Sequence, residues 1–480
     1  MASTPIAQSN HYVKNGFGTV LRSSGIFYFR KAPNFRTTVT FMNYWKTKRG
    51  MDVTVMASLR DMNGRLIARE ELSWARGHVM NYSPDVPEET FEGSIEIEIF
   101  SLQNMMIPFA AIIVVYDTDR SVALTHNYAR AYSPHEIEER RTITNGEESC
   151  WTLRDSDTVQ SFAVLHNGID AQPEQTAIFT VTRADGTKRS VETRIPELPS
   201  YGSYRFVPQD HFDGLVDFLG GEPGNGAISF TLQKAFTRML IGNEQPAAGD
   251  LQITHSNFNY SEHKTDEVDR AGALAWMMMP DGNISGRRVR VYPDCDRGEY
   301  VMATADGSER DFRTGDLVDL ESPPGPITFQ KKNGGLPTRL VTAIVGDTRP
   351  GMLPFELSLG VLHEARPPKK LWWAPTCCDD SRDGVIVASR YEKLYGPYEG
   401  QPVNIRLYSE ASHEVLETDI DADMVRRAET GLRLEELFPN AKEFLAGGLG
   451  WFTWYSDYAA FQVFTKMIRE GGNLSMEHGF

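Results

Sequence analysis

The sequence predicts an all-β protein, built as four tandem antiparallel β-sandwich domains with short helical turns. Three observations predict it. Segments that alternate apolar and polar residues, the two-residue period of a pleated strand, recur along the 480 residues. They recur in a fixed order, in which a glycine opens an alternating strand and a later strand closes on a histidine. Finally, 40 glycines and 26 prolines suffice for tight turns between many short strands.

The repeated signal can be read directly. Gly93-Ser-Ile-Glu-Ile-Glu-Ile leads to Val122-Ala-Leu-Thr-His126, and Gly226-Ala-Ile-Ser-Phe-Thr-Leu leads to Leu251-Gln-Ile-Thr-His255. Gly325-Pro-Ile-Thr-Phe-Gln leads to Leu359-Gly-Val-Leu-His363, and Gly448-Leu-Gly-Trp-Phe-Thr-Trp leads to Leu474-Ser-Met-Glu-His478. These passes set domain boundaries at residues 17–132, 142–260, 271–365 and 371–480.

In the first pass a strand centres on Phe27-Tyr-Phe29, and another is expected over Thr38–Trp45. Met51–Leu59 alternates, Asn63-Gly64 reverses the chain with the positive φ a hairpin needs, and Leu66–Leu72 returns. The second pass repeats this with Phe162–Gly168, Thr176–Arg183, a turn at Asp185-Gly186, and Ser190–Ile195. The third has Ala275–Met279, Arg288–Tyr292, a turn at Asp294–Gly298 and Tyr300–Thr304. The fourth has Val385–Ser389, Val403–Tyr408 and Val415–Asp419. Passes two and four share a further feature, Phe212 with Phe218-Leu219 and Phe438 with Phe444-Leu445, each followed by glycines. Gln209–Leu219 and Glu435–Leu445 are therefore predicted as short helical turns that stop at glycine. Charged or proline-marked linkers are expected at Ser133–Arg141, Ser261–Arg270 and Arg366–Lys370.

The copies are spaced by roughly 100–130 residues, which suits a seven-strand sandwich and is too long for a propeller blade or helical solenoid. In length and strand rhythm they resemble immunoglobulin or fibronectin type III modules. The Cys…Trp…Cys spacing of antibody domains is missing, so the resemblance implies an immunoglobulin-like architecture and carries no functional residues with it.

A net charge of -16 and a pI near 5.2 argue against nucleic-acid binding and against a polybasic membrane patch. The longest apolar run, Met105–Tyr116, contains Pro108 and is too short to span a bilayer, so no membrane insertion is expected. The first residues lack the apolar core of a signal peptide. Synthesis in the cytoplasm is expected, with a virion, particle or cell surface as the destination. Cys150, Cys295, Cys377 and Cys378 lack metal or redox spacing and suit a reducing compartment.

Three groups of residues could carry chemistry. The repeat histidines His126, His255, His363 and His478 share a strand face with apolar neighbours, and one per domain is too few for a metal site. They are expected to cap sandwich edges in a structural role. Asp379, Asp380 and Asp383 sit in a turn beside a linker and could hold calcium, the one cofactor the sequence suggests. Trp372, Trp373, Trp451 and Trp454 crowd the last domain, and alternation turns some of them away from its core. They are the expected surface for a glycan or a protein. No nucleophile elbow, phosphate loop, HExxH or dinucleotide fingerprint occurs.

The expectation is a non-enzymatic structural or recognition protein, a virion- or particle-associated component of fibre or spike type, with protein subunits or polysaccharide as partners. A surface adhesin that binds polysaccharide, or a glycan-active enzyme whose carboxylates are dispersed in loops, are the alternatives.

Overall fold

A computed structural model describes residues 19–74, 77–105, 111–126, 129–134, 143–258, 274–293, 298–333, 340–359, 362–363 and 369–480. The protein is all-β, with several antiparallel sheets that fit the β-sandwich class. The expected linkers Ser133–Arg141, Ser261–Arg270 and Arg366–Lys370 fall largely or wholly outside the described residues, as does most of the turn Asp294–Gly298.

The first block of sequence supplies β1 (Arg22–Lys31), β2 (Phe35–Met42), β3 (Thr54–Asp61), β4 (Leu66–Leu72), β5 (Val79–Tyr82), β6 (Phe91–Phe100), β7 (Ile112–Thr118) and β8 (Val122–Thr125). They pair as two sheets, β1-β6-β3-β4 and β5-β2-β7-β8. Apolar residues of the two sheets share one core, with Phe27, Val55, Ile95 and Ile97 meeting Val39, Phe41, Ile112 and Val114. The strand expected over Thr38–Trp45 stops at Met42. Asn43 accepts a bond from Lys46 N at 3.2 Å and starts a helix, α1 (Tyr44–Arg49), which Gly50 ends at φ 63°. An asparagine N-cap and a left-handed glycine outweigh the strand propensity of Tyr44 and Trp45.

Residues 143–258, 274–363 and 371–478 repeat both sheet orders with their own first to eighth strands. Each block therefore has eight principal strands, one more than the seven expected. The predicted helical bridges are present, at Pro208–Asp210 and Leu215–Leu219 in the second block and at Leu434–Leu437 and Ala441–Leu445 in the fourth; Gly220 ends the first as expected, whereas Ala446 at φ 48° ends the second. After each eighth, or closing, strand the chain crosses back to flank the block's first strand. Ala129 bridges Ile26, Asn257 pairs with Ser149, Leu362 pairs with Trp276, and Phe480 exchanges backbone bonds with Trp373.

The closing strands are β8, Asp250–His255, Phe355–Ser358 and Leu474–His478. Each packs against the closing strands of two other blocks, first on second, second on third, third on fourth, and fourth on first. The contacts thus close into a ring, the outcome available to head-to-tail interfaces. Three seams are apolar. Phe162, Val164, Leu251 and Ile253 of the second block join the first block's core. Ile113, Val115 and Leu124 of the first meet Leu449 and Trp451 of the fourth. Val385, Val387, Phe464 and Met476 of the fourth join the third block's core. The seam between the second and third blocks is polar: Arg290 Nη1 donates to Thr152 Oγ1 at 2.8 Å, and Ser358 N donates to Thr254 Oγ1 at 3.1 Å.

The ring fixes a centre. Because every closing strand starts near the starts of the others, the residues at or just before these starts meet. Asp250 Oδ1 accepts from Ser121 Oγ at 2.5 Å and Asn473 Nδ2 at 2.7 Å, and Oδ2 accepts from Leu353 N at 2.6 Å. One buried carboxylate thereby joins all four blocks. The other ends of the strands meet as well, and they carry the histidines.

Candidate metal centre

His126 follows β8, while His255 and His478 end the closing strands of the second and fourth blocks. Their imidazoles converge. The centroids of His126 and His255 are 4.4 Å apart, and those of His126 and His478 are 4.7 Å apart, both edge-on. Phe480 packs its ring 5.6 Å from both His126 and His478. The neighbour the sequence reading passed over is Glu477. Its carboxylate accepts from His478 N at 2.8 Å and His126 N at 3.3 Å, and His126 Nδ1 stands 3.1 Å from Oε2. His478 Nε2 is 3.7 Å from the other oxygen.

Burial sets the charge states. It pushes the Glu477 carboxyl up to about 7, against the pull of His478, the two backbone N–H groups and the Arg238 charge. It pushes the His478 imidazole down to about 4, with Glu477 opposing. Both shifts favour neutral forms, as expected where a low-dielectric interior penalises charge. His478 Nδ1 faces the Gly479 carbonyl at 3.0 Å and His255 Nδ1 the Ser256 carbonyl at 2.8 Å. A carbonyl can only accept, so Nδ1 carries the proton in both rings, and neutral His478 keeps its lone pair on Nε2.

The expectation of isolated histidines, one to a domain, is corrected here: ring closure brings three blocks' strand ends to one place. His255 and His478 each bond a loop carbonyl through Nδ1. His363 is different. The third closing strand ends at Ser358, and His363 lies beyond the crossing, paired with Ala275; its side chain is outside the described residues.

The tryptophan surface is also corrected. Trp372, Trp451 and Trp454 are buried. Trp454 sits in the fourth block's core against Phe461, 5.2 Å between centroids. Trp451 faces away from that core, as alternation requires, but into the seam with the first block, where Nε1 donates to Thr40 Oγ1 at 2.9 Å. Trp373 is half-buried in the same seam, 6.0 Å from Tyr44 and 4.8 Å below Lys48 Nζ.

The three aspartates face cations. Asp379 accepts from Ser381 N and Arg382 N, both at 2.8 Å, and from Arg382 Nε at 2.8 Å. Burial opposes its charge, yet Arg382 and these bonds hold the carboxyl below its usual range. Asp380 pairs with Lys442, and Asp383 with Arg433 at 2.7 Å. Arg382 continues to Asp117 of the first block at 2.9 Å, so this turn works as a salt-bridged clasp between blocks. Cys377 and Cys378 are free thiols, both buried.

Among the described residues, the one group of three metal-competent side chains within mutual reach is His126, Glu477 and His478, with ligand atoms inside 4.8 Å of one another. Among them, too, no helix is long and apolar enough to cross a membrane. No family model matches the sequence, and a comparison with curated proteins returned no match.

Proposed function

We propose that the chain is a structural component of a larger assembly, made of four tandem immunoglobulin-like β-sandwich domains closed into a rigid ring. The observation that carries this reading is the fourfold repeat of one eight-strand plan whose copies bury their faces against one another. Such a design spends the repeated surfaces on shape. The outermost strands support it. β4 (LIAREEL), Lys188–Ile195 (KRSVETRI) and Glu309–Arg313 (ERDFR) lie at sheet edges and are studded with charge. That charge blocks indiscriminate strand pairing and leaves specific subunit contacts. Burial of Trp372, Trp451 and Trp454, with Trp373 half-buried in a seam, weakens the motive for a glycan surface, so protein neighbours are the partners in this proposal.

Gradient fractionation of the native source tests it. The protein should sediment with a particle at fixed stoichiometry. Recovery only as a free monomer would overturn the reading, as would turnover on a panel of polysaccharides. Limited proteolysis in the linkers tests the domain division: nicked chains should still elute as one species and separate only in denaturant. Fragments that part under native conditions would overturn the ring.

A further inference from the structure

We propose that His126, Glu477 and His478 bind one divalent transition-metal cation of the zinc class, fastening the first block to the fourth where the closing strands end. The donor set is two imidazoles and one carboxylate, which suits zinc, cobalt(II), nickel or copper(II), whereas calcium and magnesium require oxygen ligands that are not gathered here. Spacing agrees. Donors around a tetrahedral zinc lie about 3.4 Å apart at ordinary Zn–N and Zn–O lengths. His126 Nδ1 is 3.1 Å and His478 Nε2 is 3.7 Å from the Glu477 oxygens. No pair of the three ligand atoms lies more than 4.8 Å apart, so the widest pair closes to a tetrahedral spacing with a change of at most about 1.4 Å.

The surroundings are those of a ligand site. The bond between His478 Nδ1 and the Gly479 carbonyl is the orienting contact that metal-bound histidines make with their second nitrogen. The two backbone N–H groups fix the Glu477 carboxylate. A cation would satisfy a buried carboxylate that otherwise lies among imidazoles, and His255 walls the site beside His126. The His478 and His126 side chains keep 21% and 12% of their surface, while that of Glu477 keeps 2%. Arg238 works against the cation, since its charge already acts on Glu477. Three ligands leave the fourth position to water.

The test is a titration of the full chain, stripped with a chelator, with Co(II) followed by its ligand-field absorption. One equivalent should saturate the bands, Zn(II) should bleach them, and Zn(II) should raise the thermal midpoint. Glu477→Gln and His478→Ala should each weaken binding by about 100-fold or more, while His413→Ala should bind as the wild type does. Absence of a saturable Co(II) band in the wild type, or undiminished binding in both variants, would overturn the proposal. Should neither variant fold, pulsed EPR of the wild type with one equivalent of Cu(II) decides: two coordinated imidazoles are expected, and fewer would overturn it.

Discussion

Two buried carboxylates sit at the two ends of the same four strands, and they differ in what surrounds them. Asp250 accepts bonds from a hydroxyl, an amide and a backbone N–H, supplied by three blocks other than its own. Glu477 takes two backbone N–H groups and feels the Arg238 charge, but it also lies against imidazoles, and burial lifts its carboxyl to about 7. A carboxylate saturated by neutral donors acts as a joint. One surrounded by groups that also donate lone pairs suits a positive guest. Burial alone does not separate the two cases; the chemistry of the partners does.

The sharpest way to break this comparison is Asp250→Ala. It strands three donors in the interior, and a loss of about 4 kcal/mol is expected for removing one partner from a buried charged network. The measurement is the shift of the urea midpoint. A shift no larger than that of a surface substitution would mean that the joint is not a joint.

Next comes a histidine outside the cluster. His166, buried in the second block and 2.7 Å from Ser203 Oγ, is pushed down to about 3 by burial. The unfolded chain takes up that proton from about pH 6.5 downward, while the folded chain does not until near pH 3. The stability tied to a neutral His166 is therefore complete above pH 6.5 and is lost as the pH falls toward 3. The slope is about 1.4 kcal/mol per pH unit. His166→Gln should flatten acid-unfolding curves in that window, and an unchanged curve would contradict the burial argument.

The smallest effect is expected for Glu477→Gln in metal-free protein at neutral pH. The amide oxygen keeps one of the two backbone bonds while the amide NH2 faces the other N–H, so a cost of roughly 1–2 kcal/mol follows for one buried donor left unpaired. A penalty equal to that of Asp250→Ala would make the two ends alike and erase the distinction.

Strands were the legible part. Alternation located Leu66–Leu72 and Gly325–Lys331 to the residue or nearly so, because one face of each strand is more open than the other. The ring was not legible, since alternation tells inside from outside and is silent on whether the outside meets water or another sheet. Trp451 shows this: alternation turns some of the tryptophans away from the core, and Trp451, one of those, meets the first block and not solvent. A clue did exist. Ile112-Ile-Val-Val-Tyr116 is apolar without alternation and buried throughout, the pattern of a strand covered on both faces. Glu96 and Glu98 misled in the opposite direction, polar in sequence yet buried, because Arg22, Arg60 and Arg69 neutralise them. The histidines were noticed but counted one at a time, and only closure of the ring makes them neighbours.

The third closing strand ends on Ser358 where three others reach a histidine, and this has a wider bearing. Four separate but identical subunits around an axis must present the same side chain four times over. Once the copies share a single polypeptide, each can diverge by itself, and the axis is released from that constraint. A cluster of side chains drawn unequally from the copies can then arise where equivalent strands end together.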